Sequence, residues 1–142
     1  MNRNYIMLLV LVLTVALVAC GGGETAVSEP ETTTIDVTTL GPTIDVATVQ
    51  ALQGRDDVVF IDVREQWEYN EGHIPNITLI PMGEIEARLS EIPTDKEVIL
   101  TCRSGNRSGQ VTDFLRQKGF DNVHNMEGGI IAWQNAGYTV EQ

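Results

Sequence analysis

The chain has 142 residues, with 20 acidic side chains against 9 basic ones and a net charge of −11. That length gives one domain with a core drawn from about 100 residues. The acidic balance excludes nucleic acid as a partner, because no basic face is offered to phosphates.

In chain order, the first feature is an apolar run from Ile6 to Ala19, broken only by Thr14. It is shorter than the ~20 residues a membrane span needs and suits the apolar part of a secretory signal. The run closes on "LVAC", Leu17 to Cys20, followed by three glycines. This resembles a bacterial lipobox. It implies a signal peptide over 1–19, a lipid on Cys20, and an extracytoplasmic protein anchored to a bacterial membrane; a plain signal peptide or a membrane anchor is the alternative. Cleavage there removes Arg3 and no acid, taking the net charge from −11 to −12. Anchoring then rests on the lipid rather than on electrostatics. Residues 20–42, rich in Thr, Glu, Gly and Pro and lacking sustained periodicity, read as a flexible tether. "TIDV" occurs at Thr34–Val37 and Thr43–Val46; the second copy is expected to enter the domain, over 43–142, and the first is not.

Within the domain, apolar strands alternate with helical segments. "VVFID" (Val58–Asp62) reads as a buried strand, and "REQWEYNEG" as a helix stopping at Gly72. "ITLIP" (Ile77–Pro81) is a second strand, followed by a short helix "MGEIEARLSEI" stopped by Pro93. "EVILTC" ends at Cys102, and Val111, Phe114, Leu115 and Lys118 then recur at helical spacing up to Gly119. "NVHNM" and "GGIIAWQNAG" give a last strand and a last helix. The pattern predicts an α/β fold, a mostly parallel sheet with helices on both faces. In such sheets the site lies beyond the carboxyl ends of the strands. Asp62 and Cys102 both stand there, with Arg64 just beyond.

"TCRSGNRSG", Thr101–Gly109, places the one cysteine of the domain immediately before two arginines, Arg103 and Arg107. Arg103, Ser104, Gly105, Asn106 and Arg107 form a segment whose backbone amides can turn inward as an anion nest. Gly105 and Asn106 tolerate the positive φ a tight cradle requires, and Ser108 is a candidate helix cap. The following helix N-terminus and the two arginines add positive charge. All of this favours a thiolate, the nucleophilic form of Cys102. A buried inert cysteine is the plain alternative. Two separated histidines and one cysteine make no metal site. His73 reads as a hydrogen-bonded structural residue, His124 carries no assignment, and Trp67 and Trp133 read as packing residues.

Three motifs carry a resemblance over about residues 43–142: "IDVREQWEYNEGHIP" (Ile61–Pro75), "CRSGNRS" (Cys102–Ser108) and "EGGIIAW" (Glu127–Trp133). In that order and spacing the domain resembles a single-domain rhodanese, a thiosulfate sulfurtransferase. The resemblance implies that Cys102 takes sulfur from thiosulfate or a similar donor as a persulfide. It then passes that sulfur to cyanide, a thiol or a protein acceptor. The amides of 103–108 would hold the charge, and Arg107 and Arg103 would position the anionic donor. Asp62 and Arg64 match the family's "DVR" and are expected to support the site, Asp62 by binding loop amides and Arg64 by pairing with a carboxylate such as Glu71. No cofactor and a monomeric domain are implied. The family usually has Gly and Ala after "GHIP", where this chain has Asn76 and Ile77; Asn still permits a positive φ, and Ile77 is expected to affect packing.

Two other readings remain. One is a persulfide carrier, or a binding module sensing sulfide or oxidants through Cys102. The other is a phosphatase or arsenate reductase of the same fold. Those use a C-x5-R loop wide enough for a tetrahedral oxyanion, whereas Cys102 to Arg107 is C-x4-R.

Overall fold

The computed structural model describes residues 34–142. The apolar leader, Cys20 and the first part of the expected tether lie outside the described residues. Five strands form one sheet: β1 Thr43–Ile44, β2 Val58–Asp62, β3 Thr78–Leu79, β4 Glu97–Thr101 and β5 Val123–Met126. Their order across the sheet is β1-β5-β4-β2-β3, and every neighbouring pair is parallel. The helices are α1 Val46–Leu52, α2 Gln66–Glu71, α3 Asn106–Gln117 and α4 Gly129–Asn135.

The two neighbouring strands β2 and β4 carry the apolar runs Val58–Ile61 and Val98–Leu100 because both faces are covered. Successive side chains alternate between two cores. Ile61, Val98, Leu100 and Val123 meet Val111 and Leu115 of α3 on one face. Phe60, Ile99 and Met126 meet Val49 and Leu52 of α1 and Trp133 of α4 on the other. Burying each such side chain contributes about 1.5–3 kcal/mol. The sheet is therefore held between two cores, one on each face.

Three expectations are modified. The strand expected over Ile77–Pro81 shrinks to β3, and Ile77 is buried just before it. "MGEIEARLSEI" is not α-helical but forms two 3-10 turns, Met82–Glu84 and Glu86–Glu91, broken at Arg88 (φ −116, ψ 23). Buried Ile85 stands three residues after half-buried Met82, a spacing that matches the three-residue 3-10 turn. Finally, packing begins before Thr43. Ile35, Val37 and Leu40 lie against the second core, and Arg55 Nη1 donates to Ile35 O at 3.0 Å. The two "TIDV" copies do the same local work. Asp36 accepts from Thr38 N to cap a 3-10 turn, Val37–Thr39, and Asp45 accepts from Ala47 N and Thr48 N to cap α1. Beside this segment, His124 is held with Nδ1 2.6 Å from Gly41 O and Nε2 2.7 Å from Glu97 Oε2.

Candidate active site

The strand order creates the site. From β2 the chain leaves through α2 toward β3 on one side; from β4 it leaves through α3 toward β5 on the other. The two connections diverge, and a crevice opens between neighbouring carboxyl ends. Asp62 pairs in register with Thr101, so the residues after each strand, Val63–Arg64 and Cys102–Arg103, face each other across it.

The cysteine loop runs from β4 to α3. Gly105 sits at φ +85 immediately before the helix, and a Cβ there would come within 3.0 Å of Gly128 N and 3.1 Å of Met126 O. Of the loop's residues only Gly105 takes a positive φ; Asn106 is already the first residue of α3. The N-terminus of α4 pins the loop from outside, with Ile130 N donating to Cys102 O at 2.8 Å and Ile131 N to Arg103 O at 3.1 Å. Gly129 allows this approach: a Cβ on it would overlap Cys102 O and Arg103 C. The "EGGIIAW" motif therefore works by drawing the loop carbonyls outward.

With carbonyls outward, amides turn inward. Gly105 N donates to Cys102 Sγ at 3.2 Å, and Ser108 Oγ lies 3.3 Å from the same sulfur. Burial pushes the Cys102 thiol up. Hydrogen bonds from the Ser108 hydroxyl and from the amides of Ser108, Ser104 and Gly105 outweigh it and hold the thiol below its ordinary range. Ser108 is not the helix cap that its position suggested. It is the third residue of α3, fully buried, and its hydroxyl faces sulfur instead of a backbone amide.

The charged residues are paired differently from expectation. Asp62 does not bind the cysteine loop, and Arg64 does not pair with Glu71. Asp62 accepts from Arg64 N at 2.9 Å and from the Arg64 guanidinium, at 2.6 Å for Nη2, with both residues buried. The same guanidinium donates to Glu68 O and Gly72 O, tying α2 to β2. Arg107 instead meets Glu68 through two bonds of 2.6 Å, Nη1 to Oε2 and Nη2 to Oε1. Those bonds hold the Glu68 carboxyl down, from 4.5 to about 2. Glu68 was missed by sequence reasoning. Its signal was a single acid among four, Asp62, Glu65, Glu68 and Glu71, with no spacing rule to distinguish it.

A cleft of about 500 Å³ opens beside the loop, lined by Arg64, Glu68, Glu71, Arg103, Trp67 and Ile131 among others. Trp67, expected to pack, is 63% exposed on this cleft, whereas Trp133 is buried and donates from Nε1 to Thr139 O at 2.8 Å. Arg103 is exposed and makes no ion pair among the described residues. His73 stacks on Tyr69 at 3.8 Å with Nδ1 3.1 Å from Tyr69 O, and its backbone bridges to Glu141. Asn76 adopts φ +60, the conformation expected of it.

Comparison with known proteins agrees with this geometry. A family model, the rhodanese-like domain, matches residues 45–136. A sulfurtransferase of Allochromatium vinosum is 43% identical over 91 residues, 64% of this chain and 85% of that protein. A thiosulfate sulfurtransferase of Pseudoalteromonas translucida is 32% identical, over 66% of this chain and 89% of its own length. Among solved structures, a rhodanese-related protein from Thermoplasma volcanium superposes with a TM-score of 0.66 at 33% identity, covering 71% of this chain and 98% of the other.

Proposed function

The chain belongs to the rhodanese-like family, and on that premise we propose that it transfers a sulfane sulfur, from thiosulfate or a similar donor, through a persulfide on Cys102. The thiolate attacks the outer sulfur of thiosulfate. The S–S bond breaks, and sulfite leaves with the electron pair. A cyanide, thiolate or protein acceptor then attacks the terminal sulfur of the persulfide and returns Cys102 as thiolate. No general base is required, because the nucleophile starts ionised.

One observation carries this reading: every polar group directed at Cys102 Sγ can donate a hydrogen bond, with Gly105 N at 3.2 Å and Ser108 Oγ at 3.3 Å. Donors fixed around sulfur stabilise its anion before substrate arrives and again as the persulfide forms. The exposed Arg103 is suited to capturing the anionic donor at the cleft, and Arg107 to stabilising departing sulfite. The sequence also supports membrane attachment through a lipid on Cys20, with the tether carrying the domain outside the cytoplasm; loss of membrane association in Cys20→Ser would be the test.

The decisive experiment is the intact mass of the purified protein before and after thiosulfate. A gain of about 32 Da, one sulfur, reversed by cyanide and absent in Cys102→Ser, is expected. No gain with a reduced, alkylatable Cys102 would overturn thiosulfate as donor. Loading without turnover to cyanide or small thiols would favour the carrier role.

A further inference from the structure

The Ser108 hydroxyl has one proton and two neighbours that, as placed, both ask for it: Cys102 Sγ at 3.3 Å and Asn125 Oδ1 at 2.6 Å. A hydroxyl donates once and accepts through its lone pairs. If the proton goes to Asn125, the sulfur loses a donor. We propose that Asn125, on β5, is a positioning residue for the sulfur chemistry: its amide turns Nδ2–H toward Ser108 Oγ and so directs the Ser108 proton onto Cys102 Sγ.

Turning the amide by 180° exchanges its oxygen and nitrogen and leaves every other atom in place. Two observations favour the orientation with nitrogen toward Ser108. First, the remaining partners of Sγ are all donors, namely Gly105 N and the amides of Ser104 and Ser108. Ser108 joins that set only if it donates to sulfur, and it can do so fully only if its second neighbour is itself a donor. Second, the other end of the Asn125 amide lies against Gly109, where an added Cβ would be 3.4 Å away. A glycine Cα–H is a weak donor that suits an oxygen; no side chain or carbonyl among the described residues accepts from an NH2 group there, which is left to the 9% of Asn125 that solvent reaches. The strand keeps Asn125 in place. It is paired in register with Leu100 and Thr43, and its backbone N donates to Pro42 O at 2.8 Å. The relay thus runs from the N-terminal segment and β5 through α3 to the sulfur at the end of β4.

The charged groups sharing this rim are Arg103 and Arg107 of the loop, Glu68 on α2 and the Asp62–Arg64 pair. On β5 and beyond it, His124 is engaged by Gly41 and Glu97, and Glu127 is exposed. Substitution at Asn125 leaves all of them in place. The assignment rests on the reading of Cys102 as a thiolate nucleophile, so its test is chosen to be independent of sulfur transfer.

That test is the pH dependence of Cys102 alkylation by iodoacetamide, followed on the Cys102 peptide by mass spectrometry. Asn125→Leu, which removes the donor polarising Ser108 Oγ without supplying a competing acceptor, is expected to move the midpoint up by about 0.3–0.5 pH unit. Asn125→Asp, which can only accept, should move it further. In a Ser108→Ala background Asn125→Leu should add nothing, because Asn125 acts only through that hydroxyl. A midpoint that is unchanged or lowered in Asn125→Leu, or the same shift with and without Ser108, overturns the assignment. Should the leucine variant not fold, the unaltered protein answers by NMR. Nuclear Overhauser contacts from the Asn125 amide protons to Ser108 Hβ support the orientation, and contacts to Gly109 Hα overturn it. Sulfur loading by thiosulfate is read separately: a shifted midpoint in a protein that takes no sulfur upholds the Asn125 role and removes only the donor.

Discussion

Two arginine–carboxylate pairs stand on the same rim and differ in almost everything else. Asp62 and Arg64 are two residues apart, with side chains 1% and 6% exposed, and Arg64 also satisfies two carbonyls of α2 and its end. Glu68 and Arg107 are 39 residues apart, and the Arg107 side chain is 32% exposed at the mouth of the loop. The first pair is a buried bracket that ties α2 to the end of β2. The second closes the cysteine loop against α2 while keeping one side of its arginine in water. Paired charge on this rim therefore has two uses, set by burial.

The largest effect expected from this difference falls on the bracket. Asp62→Asn leaves a guanidinium buried with neutral partners, and should cost about 3–5 kcal/mol in urea unfolding at pH 7. Arg64→Met added to it should recover part of that loss, since removing both charges removes the uncompensated one. A cost for Asp62→Asn no greater than for Glu68→Gln would erase the distinction between the pairs.

Glu68→Gln should be milder. It keeps one neutral hydrogen bond to Arg107, and solvent at Arg107 screens the charge lost, so about 1–2 kcal/mol is expected at pH 7. The pH dependence gives its signature. The Glu68 carboxyl is depressed from 4.5 to about 2 in the folded protein. The stability from its ionisation is then complete above pH 4.5 and is lost as pH falls through 2. Urea midpoints of the parent and the variant should accordingly converge as pH falls from about 5 toward 2. A gap that stays constant over that range would mean that Glu68 acts by shape rather than by charge.

The same two pairs mark where sequence reasoning stopped. Strands β2, β4 and β5, the helix after Cys102 and the placement of Asp62 beside Cys102 were legible, because each rests on an apolar run, on apolar periodicity or on β2 and β4 running parallel in register, whereas the two-residue β1 carries no such run. The cradle's donor character was legible from its glycine, serines and arginines. The pairing was not. Asp62–Arg64 is a choice among several nearby acids, and Glu68–Arg107 depends on how α2 sits over the loop, which no local spacing encodes. Ser108 looked like a cap because serine usually caps; Gly105 took that place because the close approach of Gly128 N admits no side chain. Asn125 was hidden for a similar reason: within "NVHNM" it reads only as a polar residue on a strand. Trp67 was misplaced because a tryptophan on an amphipathic helix is assigned to packing unless the cleft beside it is known.

The smallest effect on stability, and the most informative on function, is expected at Arg103. It lines the cleft, is exposed and has no ion pair among the described residues, so Arg103→Ala should change stability by less than about 0.5 kcal/mol. On the proposed function it is nonetheless the exposed cation that would meet an anionic donor, in a protein of net charge −11. The thiosulfate concentration giving half-maximal sulfur loading should rise about three- to tenfold in Arg103→Ala at low salt. The difference should shrink in about 0.5 M salt, where screening shortens the reach of the charge to a few ångströms. Arg107→Ala should instead lower the loading rate at saturation, because its charge acts at the loop rather than at the approach. Equal defects in both variants, insensitive to salt, would place the two arginines in one binding site and end the separation between an arginine that captures the donor and one that closes the loop.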